Sequence, residues 1–122
     1  MHFENNNIFI HVFEEDNRAL VLLKRELFVS DVIDDVRMRL INLNFNGTVI
    51  FDEVLLKGID ERFYHVRFQN KVFDLTHFVV MSKPDARLIE FSRGYYRCHP
   101  EFLERSNLAK RQQERLLKWI NK

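Results

Sequence analysis

The first apolar and polar positions alternate as they do in a half-buried strand. Ile8, Ile10 and Val12 fall on one face of a short segment rich in β-branched and aromatic residues, and this period of two predicts a strand. The polar stretch Glu14–Asn17 separates it from the apolar run Arg18–Leu23. The two segments and the turn between them predict a β-hairpin.

A helical spacing of apolar residues follows the hairpin. Ser30 is placed to cap the helix, because its hydroxyl can accept a bond from an unpaired backbone N–H, and Asp31 favours the positive end of the helix dipole. The segment Asn42–Gly47 ends the helix with residues suited to positive φ. The apolar positions that define the helix are Val32, Ile33, Val36, Leu40 and Ile41.

Strand patterns return in the middle of the chain. Thr48–Leu56 carries apolar groups on both faces, which predicts a central strand. Phe63–Phe68 alternates, and Gln69 with Asn70 suits a two-residue turn back into Lys71–Leu75. We therefore expect a second hairpin here.

The last third of the chain has helical patterns. Ser82 is a candidate cap and Pro84 fits a first turn, where its missing N–H costs little. Pro100 should end this helix near residue 98 or 99. Ser106 is expected to cap a final helix over residues 107–121.

This order of elements predicts an α+β fold with a largely antiparallel sheet, helices packed on one face and a helical C-terminal part. The 122 residues fit a single domain over residues 1–122. No stretch approaches the roughly 18 consecutive apolar residues of a membrane helix. With one cysteine, Cys98, no internal disulfide can form. Because the N-terminus also lacks a secretory pattern, we expect a cytoplasmic protein with no membrane partner.

The candidate chemistry is sparse. His65 and His77 could meet across the second hairpin and bind a metal, with Cys98 and His99 as the remaining donors, but no metal-ligand spacing is present. Adjacent cysteine and histidine side chains point in different directions, which argues against a nucleophile. We expect no metal, no cofactor, no catalytic residue and no small-molecule substrate. A small enzyme would need paired carboxylates, for which the candidates are Asp52, Glu53, Asp60 and Glu61.

Basic side chains are concentrated in the last helix. Their simplest explanation is a solvated face that complements the helix dipole. The alternative is a surface that contacts an acidic protein or phosphates, since arginine and tryptophan dominate interface energetics. The formal net charge of +1 favours a protein partner over nucleic acid. The residues concerned are Lys110, Arg111, Arg115, Lys118, Trp119 and Lys122.

Two motifs of consecutive residues stand out in the chain. The first is Gly47–Gly58, with an aliphatic pair, Phe51 and Asp52, and a leucine-rich stretch, followed by Arg62 and Phe63. The second is His99–Leu103, a His-Pro-Glu-aromatic-Leu sequence. In their order and spacing both motifs resemble the RnlB family of antitoxins, whereas the more basic C-terminal tail departs from that family.

The resemblance implies a cytoplasmic antitoxin that binds and neutralises an RnlA-type endoribonuclease toxin, with a role in phage defence. The alternative is a module that binds nucleic acid or phosphate through the basic C-terminal helix. The predicted partner-contact residues are Arg111, Arg115, Lys118, Trp119, His99 and Glu101.

Overall fold

The computed structural model describes residues 1–45, 47–52, 54–57, 77–80 (as backbone) and 86–122. The second predicted hairpin and the helix start at Ser82 and Pro84 lie outside the described residues. The strands are β1 (His2–Glu4), β2 (Ile8–Phe13), β3 (Arg18–Leu23), β4 (Leu27–Phe28), β5 (Thr48–Phe51), β6 (Leu56–Lys57) and β7 (His77–Val80). The helices are α1 (Val29–Asn42), α2 (Ala86–Cys98), α3 (Glu101–Glu104) and α4 (Lys110–Ile120).

The predicted N-terminal hairpin is confirmed. β2 and β3 pair antiparallel, with Ile8 opposite Leu23 and Phe13 opposite Arg18. A short 3-10 turn joins them and ends at Asn17, which adopts the left-handed conformation with φ 52° and ψ 44°. Asparagine tolerates this conformation better than most residues do, and so the polar turn reverses the chain without a glycine.

The main sheet is mixed, with the order β1-β2-β3-β5-β7. β1, β2 and β3 are antiparallel neighbours, whereas β5 runs parallel to β3 on one side and to β7 on the other. Parallel neighbours need a crossover connection, and α1 lies in the connection between β3 and β5. The α+β class and the helical C-terminal part are confirmed, and the parallel pairs add to the predicted antiparallel ones.

Helices lie against both faces of the sheet. Arg39 of α1 lies 4.7 Å over the ring of Phe3, and Phe3 pairs with Ile10 and so shares its face. Phe9, on the opposite face, stacks on Phe91 of α2. The physical reason is β3, which is buried at every position from 19 to 23 and therefore needs cover on both sides.

Two predicted helix caps are wrong. α1 begins at Val29, one residue before Ser30, and its N-terminus has no side-chain cap. The Ser106 hydroxyl donates instead to the Leu103 carbonyl at 2.6 Å, and α4 begins only at Lys110. The predicted end of α2 before Pro100 is confirmed, because the helix stops at residue 98.

The strand predicted over residues 48–56 is divided in two. β5 ends at Phe51, and β6 begins at Leu56 and pairs with β4 in a separate two-stranded sheet. Between them, Oδ1 of Asp52 accepts a hydrogen bond from the backbone N–H of Val54 at 2.9 Å. This local bond replaces a strand hydrogen bond and turns the chain.

Candidate functional site: a half-buried aromatic surface

Eight aromatic and histidine rings form a continuous layer over the sheet face beneath α2. We call this layer the aromatic surface. β2 supplies three of the rings, β1 one, α2 two, and the segment after α2 another two. Its members are His2, Phe9, His11, Phe13, Phe91, Tyr95, His99 and Phe102.

The rings contact one another at short centroid distances. Phe9 lies 4.7 Å from Tyr95, and His11 lies 4.6 Å from Phe91. At the far end His99 and Phe102 stack 5.1 Å apart, with only 18° between their planes. Such pairs add roughly 0.5–1.5 kcal/mol beyond the area they bury, and so the layer is held together as a unit.

The period of each element explains why these rings meet. In β2 the aliphatic residues at 8, 10 and 12 face the core, and the alternate positions place Phe9, His11 and Phe13 on the other face. In α2, Phe91 and Tyr95 are four residues apart and so lie one above the other. The backbone N–H of His99 donates to the Tyr95 carbonyl at 3.1 Å, which continues the row by one more turn.

The surface is half-buried and has a charged rim. Most of its rings are of intermediate exposure, with Phe13 buried and His2 exposed. Arg87 lies 4.8 Å over the Phe13 ring and pairs with Asp16. Lys24 lies 5.8 Å from the Phe102 ring. An apolar, aromatic centre within a polar rim is the usual anatomy of a protein–protein interface.

The electrostatics keep the centre of this surface neutral. Burial, followed by the neighbouring N-terminal amino group, lowers the pKa of His11. Burial raises the pKa of the Tyr95 hydroxyl. At the rim, the hydrogen bond and charge of Lys24 lower the pKa of Glu4. Burial therefore favours the uncharged forms of His11 and Tyr95.

Two of the six predicted contact residues belong to this region. His99 is part of the aromatic surface, and its Nδ1 lies 3.5 Å from Oε1 of Glu101. Both side chains are almost half exposed. The structure thus places His99 within the aromatic surface and Glu101 beside it.

The other four predicted residues lie on α4. Arg111, Arg115 and Lys118 are exposed, whereas Trp119 is of intermediate exposure and lies 5.3 Å from the guanidinium of Arg93. In the part of the chain that the structure describes, no ion-pair partner faces the first three. Trp119 is therefore partly committed to packing against α2, and the three cations remain solvated.

The two groups lie on different sides of α2. Arg93, which contacts Trp119, follows Phe91 by two residues, or about 200° around a helix. Arg97, which donates to the Ile120 carbonyl at 2.6 Å, stands in the same relation to Tyr95. The six predicted residues thus form two separate patches.

Of the four candidate metal donors, Cys98 and His99 have described side chains. In the described residues, no group of three or more histidine, cysteine or acidic side chains is close enough to hold an ion. Cys98 is exposed, and His65 lies outside the described residues. Of the four candidate carboxylates, Asp52 is described, and it is bonded to Ser92 and Val54.

Sequence reasoning missed most of the aromatic surface. Of its eight rings, it named only His99 as a partner-contact residue. The available signal was a strand with aromatic rings on its outer face, where polar residues are usual in a half-buried strand. The four-residue spacing of the rings at positions 91, 95 and 99 also indicated that these rings lie on one face.

A sequence model of a family described as the antitoxin to bacterial toxin RNase LS or RnlA matches residues 18–109. The match spans both motifs that suggested the resemblance and covers most of the chain. The chain therefore belongs to the RnlB antitoxin family. No curated protein and no solved structure matches it. Among the helices of the described residues, none has the length and apolar character needed to cross a bilayer.

Proposed function

We propose that this antitoxin neutralises an RnlA-type endoribonuclease by direct protein–protein contact through the aromatic surface. The observation that supports this is the half-buried layer of rings with charged groups at its rim. Aromatic residues placed near the centre of a desolvated patch contribute most of the energy of typical interfaces. A stable inhibitory complex should bury about 1,200 Å² or more in total.

The direct test is binding to the toxin after co-expression. His99→Ala combined with Phe102→Ala removes two rings that lie at one end of the surface and leaves β2 intact. We expect this double variant to bind about 30-fold more weakly or worse, which is the loss produced by truncating an interface hot spot. Ribonuclease activity of the toxin in the same mixture should be restored in parallel.

The matched control is Arg111→Ala with Arg115→Ala on α4. These side chains are exposed and have no ion-pair partner in the part of the chain that the structure describes, so folding should be unaffected. If the α4 variant loses the toxin and the aromatic variant keeps it, α4 is the interface and the aromatic surface is not.

The second candidate function is binding of nucleic acid or phosphate by α4. The observation that favours it is the row of exposed cations on this helix, to which no described acidic side chain is paired. Each phosphate contact releases counterions, so RNA affinity should fall steeply with salt. Charge reversal with Arg111→Glu and Arg115→Glu should abolish it, and salt-insensitive binding would contradict this function.

The family also suggests the cellular setting, which we propose is a cytoplasmic role in phage defence. Co-expression should relieve toxin-dependent growth arrest, and deletion of the antitoxin gene should be tolerated only in cells without the toxin. A change in phage plating efficiency that depends on the toxin would support the defence role. No change with either gene removed would contradict it.

A further inference from the structure

A second candidate site lies beside β6. It is a cleft of about 320 Å³ between the β4–β6 pair and the segment that leads into α4. This volume is at the lower end of the range for ligand sites, which suits a single side chain better than a cofactor. The polar groups in its lining belong to Glu26, Lys57, Asn107 and Gln112.

Glu26 is the unusual member of this lining. Its side chain is only 5 % exposed, yet its Oε2 has no hydrogen-bond partner among the described residues. The other side of the carboxylate is paired with Lys57, whose side chain is 46 % exposed. A buried oxygen without a donor is costly. Among the described residues, the Oε2 atom of Glu26 is therefore an acceptor that a ligand with a hydrogen-bond donor would satisfy.

The backbone holds Glu26 in this position. The next residue, Leu27, donates its N–H to the Leu55 carbonyl at 3.2 Å and pairs with Leu56 in the parallel β4–β6 ladder. Lys57 follows in the same ladder opposite Phe28. Strand pairing therefore fixes the backbone next to Glu26, and the Glu26 side chain lines the cleft.

We propose that this cleft binds the guanidinium group of an arginine side chain presented by the toxin, which rests on the proposed function. A guanidinium carries several N–H donors in a planar fork and is weakly hydrated, so it enters a partly buried carboxylate site more readily than an ammonium does. The half-exposed Lys57 can retreat to water as the guanidinium takes its place. A metal ion is a poorer fit, because no group of three metal-binding side chains forms among the described residues.

The first test uses the isolated full chain and methylguanidinium as the probe. Titration followed by amide NMR should give saturable shifts at residues 55–57 and 107–112 in the wild type and none in Glu26→Gln. Glu114→Gln, which changes an exposed carboxylate on α4, should respond as the wild type does. Thermal unfolding verifies that Glu26→Gln is folded. Absent shifts, equal shifts in Glu26→Gln, or equal binding of methylammonium would overturn the guanidinium site.

The second test measures affinity for the toxin. Glu26→Gln should bind at least about 10-fold more weakly, as expected when one partner of a desolvated charge pair is removed. Unchanged affinity of a folded Glu26→Gln would refute the toxin as the source of the arginine. If the wild type binds methylguanidinium but no toxin, the proposed function fails and the guanidinium site stands by itself.

Discussion

The hydroxyl of Ser92 donates a 2.5 Å hydrogen bond to Oδ2 of Asp52, and this contact ties α2 to the end of β5. Ser92 is buried, and the other oxygen of Asp52 accepts from the Val54 N–H. Burial raises the pKa of Asp52, although both hydrogen bonds act in the opposite direction. The helix is thus docked through a carboxyl group whose ionisation is unfavourable.

Asp52→Asn should stabilise the protein increasingly as the pH rises. Asparagine can keep both hydrogen bonds, with its oxygen accepting from Val54 and its amide donating to Ser92. The stability that the protonated carboxyl contributes is complete below about pH 4, the ordinary aspartate range. It is lost as the pH rises through the higher pKa of the folded state.

Denaturant unfolding of both proteins between pH 4 and pH 8 measures this difference. As the pH rises across this range, the free energy of unfolding of Asp52→Asn should increase relative to that of the wild type. Ser92→Ala, which leaves the carboxylate oxygen without its donor, should cost about 1–3 kcal/mol. Parallel pH profiles for wild type and Asp52→Asn would show that the pKa of Asp52 is not raised in the folded protein.

Tyr96→Phe should destabilise the protein by about 1–2 kcal/mol. Tyr96 is fully buried, and its hydroxyl donates to the Leu23 carbonyl at 2.9 Å. Removing the donor leaves a buried carbonyl unpaired. Tyr95→Phe is the matched control, because the Tyr95 hydroxyl is buried without a partner among the described residues. It should be neutral or slightly stabilising, and equal losses in both variants would contradict this account.

Gly47→Ala should destabilise the protein by about 1–3 kcal/mol or more, the usual cost of overpacking. A Cβ at this position would overlap the backbone oxygen of Asn17 and lie 2.6 Å from its Oδ1. Gly94→Ala is the control, since a Cβ there meets nothing within 4 Å. Because Gly94 lies within α2, alanine should stabilise it by about 0.5–1 kcal/mol. Thermal unfolding of the two variants should shift in opposite directions.

His11→Phe should remove part of the acid sensitivity of the fold. Burial lowers the pKa of His11, so the folded state keeps the neutral ring while the unfolded chain takes up a proton near pH 6.5. The stability contributed by the neutral ring is present above that pH and declines below it. Between pH 7 and pH 5 the wild type should lose more stability than the variant, and equal losses would indicate that His11 is solvated.

Local patterns predicted the elements whose stability is itself local. The alternation at residues 8–12 fixed both the hairpin and its buried face, because one face of a strand is defined by a period of two. The helix stop before Pro100 follows from the restricted conformation of the preceding residue. The family resemblance was predictable as well, because it rests on short motifs of consecutive residues.

Features that depend on distant partners were not predictable in this way. The direction of β5 relative to β3 is set by how α1 crosses the sheet, and no residue of either strand encodes it. Serine is a common N-cap residue, but the Ser106 hydroxyl donates its hydrogen bond to the Leu103 carbonyl. The aromatic surface joins residues 9 and 95, and only their tertiary contact makes them one site.

The parallel pairing of β3 with β5 determines how a nascent chain can assemble. The hairpin needs only its own turn, whereas Arg18 pairs with Thr48, thirty positions later and beyond α1 in the chain. A ribosome that has released β3 but not β5 exposes an apolar strand with one open edge, which is prone to pair with other chains. We therefore expect fragments that stop before residue 48 to aggregate, and premature termination there to yield no usable antitoxin.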